Sequence, residues 1–293
     1  MIVSVKQKLA QLGGSAEIKK WDQQRHWARL TAMKYSSGNF HLGHWWRGPL
    51  LYSLVQYYKP RHILEFGTGR GYGALCMGQA SLDAQFECTI WTIDNVPPTQ
   101  QQEWAIDEGT GPELRQLTLK QVWDKHFPTK LTRRIKLLTG DSMSVMRLWR
   151  HKRRPAIDFC FIDGGHNYWT VKHDFIAGLD VARSRCSFLF DDYTERKGYG
   201  VTRLVNRDII PRVSRGAVEV LDTCSHVDTS DGSVVHRMAL LNGMQVDTIP
   251  LGQFYSPLTV KVFVPIYKVY SYSRNIASCL RAKCLRGMAL PIH

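Results

Sequence analysis

Three carboxylates follow two apolar stretches that read as neighbouring strands. Asp163 ends the apolar run 157–162, and Asp191 and Asp192 end the run 186–190. Adjacent parallel strands lie about 4.8 Å apart, so these carboxylates would repel one another unless they were protonated or bridged by a cation. Oxygen ligands of this kind suit Mg²⁺, Mn²⁺ or Ca²⁺. The three aspartates form a predicted metal site; the alternative is that Asp191 or Asp192 caps the next segment.

A histidine follows the first of these carboxylates. His166 lies three residues after Asp163, at the mouth of the predicted site. Histidine changes its charge near neutral pH, which makes it the natural general base. We predict that His166 and Asp163 carry catalysis. The alternative is that His166 caps the helix predicted over 168–182 or packs beside a ligand.

Glycine recurs at every second position after another apolar run. The segment His62–Gly73 reads His-Ile-Leu-Glu-Phe-Gly-Thr-Gly-Arg-Gly-Tyr-Gly, which predicts a strand, a bare backbone turn and then a helix. Glycine lets another molecule approach the main chain closely, and the helix start offers unpaired N–H groups. A nucleotide would fit over this turn, close to the strand-end carboxylate Glu65. A plain tight turn is the alternative.

Two further strand ends carry polar side chains. Asp94 ends the second predicted strand, where a carboxylate can accept hydrogen bonds from both ribose hydroxyls of a nucleoside. Asp141 and Ser142 follow the third strand and could accept from an adenine amine, or could cap the helix predicted over 142–151. The glycine spacing matches neither a phosphate-binding P-loop nor a dinucleotide fingerprint. The pattern therefore predicts a nucleoside site of another kind.

Strands and helices alternate from residue 62 onward. This alternation predicts a doubly wound α/β sheet that is mostly parallel and covered on both faces. The loop 224–232 is too short for a crossover helix, so the last strand should be antiparallel. Residues 96–112 read as an excursion loop. The predicted strands are 62–66, 88–93, 135–139, 157–162, 186–190, 217–222 and 235–241, and the predicted helices are 72–80, 112–126, 142–151, 168–182 and 199–210.

The chain divides into three parts by its pattern. Residues 1–60 read as mainly helical and predict an N-terminal helical cap, interrupted by the aromatic, glycine-containing stretch 35–49. Residues 61–245 hold the α/β domain and the cofactor-binding motifs. Residues 246–293 alternate apolar and basic side chains, with no acidic residue after Asp247. We predict a basic, aromatic C-terminal extension there.

The composition and charge of the chain indicate which partners and which cellular compartment to expect. Of the 293 residues 44% are hydrophobic, and the formal charge is +14, with five basic side chains and one histidine within 147–154. Such charge is consistent with a polyanionic partner, such as nucleic acid, an anionic membrane surface or a charged glycan, and equally with an ordinary basic surface. Seven scattered cysteines without zinc spacing indicate a reducing compartment. We expect a cytoplasmic protein without a leader or membrane span, with a peripheral membrane position as an alternative.

Taken together, these motifs resemble a known family. They are similar to the successive motifs of class I S-adenosylmethionine-dependent methyltransferases over roughly residues 50–241, and the resemblance implies a seven-stranded Rossmann-like sheet with an antiparallel last strand. The motifs are Glu65-Phe66-Gly67-Thr68-Gly69-Arg70-Gly71, Asp94, Gly140-Asp141-Ser142 and Phe161-Ile162-Asp163-Gly164-Gly165-His166. The predicted cofactor-binding residues are Glu65, Gly67, Thr68, Gly69, Tyr72, Asp94, Asp141, Ser142 and Asp163.

The stretches 163–174 and 190–193 narrow the resemblance to small-molecule and sugar O-methyltransferases, of the macrocin O-methyltransferase type and methyltransferase family 24. In metal-dependent members, one aspartate after the fourth strand and a pair after the fifth hold Mg²⁺, a pattern that Asp163, Asp191 and Asp192 match. The resemblance implies methylation of a hydroxyl on a glycan or small-molecule acceptor, by an enzyme that could form a homo-oligomer. An RNA methyltransferase and a non-catalytic binding protein on the same fold are the alternatives.

Overall fold

The computed structural model describes residues 2–14, 17–32, 45–195, 199–229 and 232–243, all within one compact unit, Met1–Ile249. The strands are β1 (Ile2–Ser4), β2 (His62–Phe66), β3 (Thr89–Asp94), β4 (Gln101–Asp107), β5 (Pro112–Thr118), β6 (Ile135–Thr139), β7 (Ile157–Ile162), β8 (Ala182–Phe190), β9 (Val218–Thr229) and β10 (Gly232–Leu241).

The helices follow in the same order. They are α1 (Val5–Gln11), α2 (Asp22–Leu30), α3 (Arg47–Tyr58), α4 (Tyr72–Asp83), α5 (Leu119–His126), α6 (Thr129–Thr132), α7 (Ser142–Arg147), α8 (Tyr168–Val181) and α9 (Val201–Arg203). A 3-10 turn, Ile18–Trp21, precedes α2, and α9 continues as a π-helix, Leu204–Ile209, and a 3-10 turn, Ile210–Arg212. None of the helices in these ranges is long and apolar enough to cross a membrane.

One sheet of eight strands organises the chain, in the order β1-β9-β10-β8-β7-β2-β3-β6. Strand β10 is antiparallel to both β8 and β9, and the other neighbours are parallel. The predicted doubly wound α/β fold with an antiparallel last strand is confirmed. The sheet has one strand more than predicted, because Ile2–Ser4 pairs with Val220–Asp222 at one edge.

The first strand was missed because it is short and a helix follows at once. Ser4 ends β1 and caps α1: its hydroxyl accepts from the Gln7 amide, and the Gln7 side chain accepts from the Ser4 amide. This reciprocal pair fixes the helix start. Side chains of α1 and α3 lie in the same core as those of β2 and β7.

The predictions of an excursion loop over 96–112 and of a helix over 112–126 were wrong. The chain forms the antiparallel hairpin β4–β5 instead, with Asp107 paired to Pro112 next to the turn. The helix begins only at Leu119, because Thr118 and Gln121 form a capping box. Buried Trp104 ties the two strands together by donating from its indole nitrogen to the Leu117 carbonyl, 2.9 Å away.

Two helices also end or change earlier than predicted. Helix α7 stops at Arg147 rather than 151. The helix predicted over 199–210 begins at Val201 and loosens into the π-helix before Pro211, which has no N–H to continue regular helical bonding. The predicted extension 246–293 and most of the stretch 35–49 lie outside the described residues, and the boundaries predicted for the three parts stay predictions.

The sheet places a switch point between β2 and β7. The chain runs from β2 outward through β3 to β6 on one side, and then returns to β7 and β8 on the other side of β2. Apolar residues of both strands are fully buried, including Ile63, Leu64, Phe159 and Phe161. Ligands of open α/β sheets bind outside the carboxyl ends of the strands at such a point. The predicted site residues follow these strand ends.

Candidate active site

The glycine turn lies against the end of β7. Gly67 has φ +90°, and a Cβ atom built there would lie 2.0 Å from the Asp163 carbonyl oxygen. Any side chain would push the two strand ends apart, so both the left-handed backbone and the close approach require glycine. Gly69 also has positive φ, but a Cβ there would meet no atom within 4 Å. The outer face of the turn is therefore open.

Asp94 closes the glycine turn from the next strand. Its Oδ2 accepts from the Gly69 amide at 2.8 Å, and its Oδ1 accepts from the Val96 amide at 2.9 Å. A shallow depression lies above them, lined by Thr68, Gly69, Asp94, Val96, Pro98, Gln102, Leu119, Leu137, Leu138 and Thr139. Three of the predicted cofactor residues, Thr68, Gly69 and Asp94, thus share one hollow.

This hollow suits the nucleoside part of the predicted cofactor. It combines a carboxylate, an open glycine backbone and apolar walls, as small-molecule sites commonly do. Each carboxylate oxygen has more than one acceptor position, so Asp94 can accept ribose hydroxyls in addition to the two amides. Hairpin β4–β5, which the sequence did not reveal, contributes Gln102 to this wall. The Arg70 guanidinium lies 4.4 Å from the Trp104 ring and holds that hairpin against the glycine turn.

Glu65 is buried beneath the turn. Its Oε2 accepts from the Thr92 hydroxyl at 2.5 Å, and the Thr92 and Thr68 hydroxyls lie 2.7 Å apart. Burial raises the pKa of the Glu65 carboxyl to about 8, although the Thr92 hydrogen bond opposes the rise. A row of three side chains therefore leads from the hollow at Thr68 down to a carboxyl group in the core.

The remaining predicted cofactor residues make contacts within the protein. Tyr72 is buried, and its hydroxyl donates to the Trp45 carbonyl at 2.6 Å, next to the start of α3. Asp141 caps α7 by accepting from the Ser144 amide at 3.1 Å. Ser142 donates to the buried Asp174 carboxylate at 2.6 Å. None of these contacts involves the hollow, and their predicted contacts with the cofactor stay predictions.

The acidic cluster contains a cation from the protein itself. The Arg47 Nη1 atom lies 2.7 Å from Asp163 Oδ2 and 2.6 Å from Asp191 Oδ2. Burial raises the pKa of Asp163, and Arg47 acts against that rise. For Arg47, burial lowers the pKa, but the attraction of Asp163 and Asp191 outweighs it and the pKa is raised. The guanidinium therefore stays charged and bridges the ends of β7 and β8.

A second buried basic side chain faces the same carboxylates. The His236 Nε2 atom, on β10, lies 2.8 Å from Asp191 Oδ1 and 3.7 Å from Asp192 Oδ1. On the other side of the ring, Nδ1 lies 3.2 Å from the Thr223 hydroxyl, which donates to the His236 carbonyl at 2.8 Å. Thr223 therefore contacts both the ring and the carbonyl of His236, which fixes the ring beside Asp191.

The predicted general base has a carboxylate partner. His166 Nδ1 lies 2.6 Å from Asp192 Oδ2, and Asp192 has the left-handed φ of +55°. The imidazole stacks on the Tyr199 ring, with centroids 4.7 Å apart and planes at 6°. The side chain is 45% exposed. Asp192 and Tyr199 together fix the ring, and the proton on Nδ1 leaves the lone pair of the neutral imidazole on Nε2.

The residues fit a divalent ion only in part. Asp191, Asp192 and His236 each offer one atom, and these three atoms lie within 4.8 Å of one another. Asp163 is not in this group, and its Oδ2 is bonded to Arg47. The predicted oxygen-only set of Asp163, Asp191 and Asp192 is thus divided by a guanidinium. Sequence reasoning missed both Arg47 and His236, because neither lies near the motifs in the chain.

Comparison with known proteins identifies relatives of this α/β region. Residues 64–193 match the model of a family described as a methyltransferase domain. A curated relative, the uncharacterised protein y4gI of Sinorhizobium fredii, is 24% identical over 155 residues, which are 53% of this chain and 16% of that protein. The chain therefore spans about a sixth of the length of the relative that it matches.

Solved structures similar to this chain include three methyltransferases. The O-methyltransferase TomG from Streptomyces achromogenes, in complex with S-adenosylmethionine, has TM-score 0.41, 16% identity and coverage of 67% of this chain and 79% of its own. The O-methyltransferase from Bacillus cereus with S-adenosylhomocysteine has TM-score 0.42 and 18% identity, with coverage of 81% of this chain and 97% of its own. The methyltransferase PaMTH1 from Podospora anserina, bound to S-adenosylhomocysteine, has TM-score 0.44 and 14% identity, with coverage of 75% of this chain and 86% of its own.

Proposed function

We propose that the chain is a class I S-adenosylmethionine-dependent methyltransferase, which methylates a hydroxyl of a sugar or another small hydroxylated acceptor. The proposal starts from the match of residues 64–193 to a methyltransferase domain and from the motifs that resemble this family. The observation that most supports the proposal is the hollow at the switch point. There the Gly69 amide and the Asp94 carboxylate lie together beside apolar walls.

Thr68, Gly69 and Asp94 would hold the cofactor. Bound S-adenosylmethionine supplies a methyl group activated on a sulfonium sulfur. In the proposed arrangement Asp94 accepts from ribose hydroxyls, while the open backbone at Gly69 leaves room for the ligand. The apolar wall formed by Leu119, Leu137 and Leu138 covers the base. These residues bind and orient, and they take no part in proton transfer.

His166 is the proposed general base. Its Nε2 would take the proton of the acceptor hydroxyl as the oxygen gains the methyl group, so that the products are a methyl ether, S-adenosylhomocysteine and a protonated imidazole. Asp192, 2.6 Å from Nδ1, favours the imidazolium that forms. Asp192 is therefore a positioning residue. A half-exposed imidazole beside a buried carboxylate pair suits an acceptor that arrives from solvent.

Metal assistance at Asp163, Asp191 and Asp192 stays a prediction. The guanidinium between Asp163 and Asp191 stands against the oxygen-only form of that site, and no proton-transfer step above requires an ion. The RNA alternative rests on the +14 charge and the basic run 147–154. Charge by itself reports only affinity for polyanions, so a cytoplasmic sugar or small-molecule enzyme remains our proposal.

Calorimetry with S-adenosylmethionine tests the cofactor site. Asp94→Ala should weaken binding at least about tenfold, because hydrogen bonds to a charged group contribute roughly 1.5–3 kcal/mol. Asp107→Ala is a matched control, since Asp107 also accepts from two backbone amides, those of Gly109 and Gly111, but lies outside the hollow. No binding by the wild type would contradict every methyltransferase reading and favour a binding protein for other ligands.

A labelled-methyl assay separates the acceptors. Purified protein and methyl-labelled S-adenosylmethionine are incubated with a panel of monosaccharides and glycosides, and separately with RNA. We expect the label on the small hydroxylated compounds. Label on RNA alone would replace our proposal by the RNA alternative, and mere retention of RNA at low salt would not.

A further inference from the structure

Arg47 comes from outside the motifs that build the site. It is the first residue of α3, and it precedes Asp163 and Asp191 by 116 and 144 positions in the chain. One nitrogen, Nη1, contacts an oxygen of each carboxylate at 2.7 Å and 2.6 Å. Only 19% of the Arg47 side chain and 2% of the Asp191 side chain are exposed. The contact is therefore a buried ion pair between the ends of two parallel strands.

Asp191 has its full set of partners. Oδ2 accepts from Arg47, and Oδ1 accepts from the Asp192 amide at 2.9 Å and lies 2.8 Å from His236 Nε2. A Mg²⁺ ion needs oxygen ligands at about 2.0–2.1 Å in near-octahedral geometry. The two Oδ2 atoms that would bridge such an ion are already within hydrogen-bond distance of one guanidinium nitrogen.

The position of Arg47 is built into the fold. A Cβ atom on Gly48 would lie 2.1 Å from the Tyr72 hydroxyl, so α3 and α4 meet where Gly48 has no side chain. The same hydroxyl donates to the Trp45 carbonyl at 2.6 Å. Tyr72 thus holds Trp45 and Gly48, which lie before and after Arg47 in the chain. The backbone that carries Arg47 is therefore fixed next to the ends of β7 and β8.

We propose that Arg47 is the resident cation of this site and takes the bridging position that the acidic cluster would otherwise offer to a divalent ion. It pairs with both Asp163 and Asp191 and keeps the ends of β7 and β8 together. Metal would then be unnecessary for the architecture of the site. The reaction assigned to this site rests on the proposed methyl transfer. The contacts of Arg47 with Asp163 and Asp191 do not depend on that proposal.

Mn²⁺ is the probe, because free Mn²⁺ has a paramagnetic resonance signal that is lost on binding. The protein is stripped with EDTA and titrated with Mn²⁺ alone, without cofactor or acceptor. We expect no saturable binding by the wild type up to millimolar Mn²⁺, and no change in its melting temperature with EDTA. Arg47→Met should melt lower, bind one Mn²⁺ with a dissociation constant at least about tenfold below the highest concentration tested, and be stabilised by it.

Matched variants identify the cause. Arg47→Lys keeps the charge and should gain no Mn²⁺ site, whereas Asp163→Asn should abolish the site gained by Arg47→Met. Arg25→Met, at an arginine 5.8 Å from the Trp45 ring, controls for loss of a nearby charge and should behave as the wild type. A folded Arg47→Met protein without Mn²⁺ binding would overturn the inference.

The wild-type titration decides the case if Arg47→Met does not fold. Saturable Mn²⁺ binding that Asp191→Asn abolishes would show that the carboxylates hold metal despite Arg47, through the group Asp191, Asp192 and His236. That outcome overturns the proposal, and absence of such binding supports it. Failure of the proposed function would be seen separately, as loss of S-adenosylmethionine binding in calorimetry.

Discussion

Replacing Glu65 with glutamine tests whether the buried carboxyl beneath the proposed cofactor site is protonated in the folded protein. Glu65 is 1% exposed at the end of β2, and Thr92 donates to its Oε2 at 2.5 Å. Helix α4 covers the other oxygen so closely that a Cβ on Gly73 would lie 2.4 Å from Oε1. Burial raises the pKa of the carboxyl from 4.5 to about 8, because hydrogen bonds from the Thr92 hydroxyl and the Ala74 amide do not replace the lost water.

This shift predicts a pH dependence of folding with a definite sign. The folded state keeps a proton on Glu65 that the unfolded state has lost between about pH 4.5 and pH 8, so the stabilising contribution is complete below pH 4.5 and disappears as the pH rises. The free energy of unfolding should fall by about 1.4 kcal/mol per pH unit in this window, or roughly 3 kcal/mol from pH 5 to pH 7.

Glutamine cannot ionise and can still accept from Thr92. The difference in unfolding free energy between Glu65→Gln and the wild type should therefore grow in favour of the variant by roughly 3 kcal/mol from pH 5 to pH 7. Urea denaturation at pH 5, 6 and 7 measures it. Taking the difference removes the contributions of the other ionisable groups, which both proteins share.

Glu108→Gln provides the control. The Lys125 hydrogen bond lowers the pKa of this exposed carboxyl below 4.5. The contribution of the ionised Glu108 to the stability of the fold is therefore lost only as the pH falls below that value. Histidine titrates near this range, and His126 Nε2 lies 3.3 Å from Glu108 Oε1, so this control is measured in a His126→Gln background. There the difference that Glu108→Gln makes to the free energy of unfolding should stay constant from pH 5 to pH 7. A Glu65→Gln difference that is equally constant would show that Glu65 is ionised throughout, and would refute the desolvation argument.

His166→Gln should lower kcat for methyl transfer about 10²-fold or more and leave the Kd for S-adenosylmethionine within about twofold; His126→Gln, at a histidine paired with a carboxylate elsewhere, is the control. An equal loss in both variants would remove His166 as the base. Gly67→Ala should destabilise the fold by several kcal/mol in urea denaturation, because strain adds to the clash with the Asp163 carbonyl. Gly13→Ala, with positive φ and no neighbour within 4 Å, should cost only about 1–2 kcal/mol.

The sheet was largely predictable because buried apolar runs form strands wherever they fall in the chain. Strands β2, β6 and β7 have the predicted bounds. The meeting of Thr68, Gly69 and Asp94 followed from the same logic, since the carboxyl ends of neighbouring parallel strands share one edge. Periodicity fixes which residues end a strand, and topology then brings those ends together.

Hairpin β4–β5 was missed although its signals are in the sequence. Leu114 and Leu117 have helical spacing, which favoured a helix over 112–126. However, Asp107 and the glycines 109 and 111 mark a turn, and Thr118 with Gln121 marks a helix start at residue 119. Local turn and cap chemistry, rather than apolar spacing, decided the structure of this segment.

Arg47 could not be predicted, because no local rule connects α3 to the ends of β7 and β8. An acidic cluster at strand ends implies that a cation lies nearby, but it does not specify which cation. Packing between α3 and α4 decides that question: Tyr72 donates to the Trp45 carbonyl and lies against Gly48, and Arg47, next to Gly48, pairs with Asp163. The predicted contact of Tyr72 with the cofactor stays a prediction, and the contacts that Tyr72 makes within the protein hold the segment that carries Arg47.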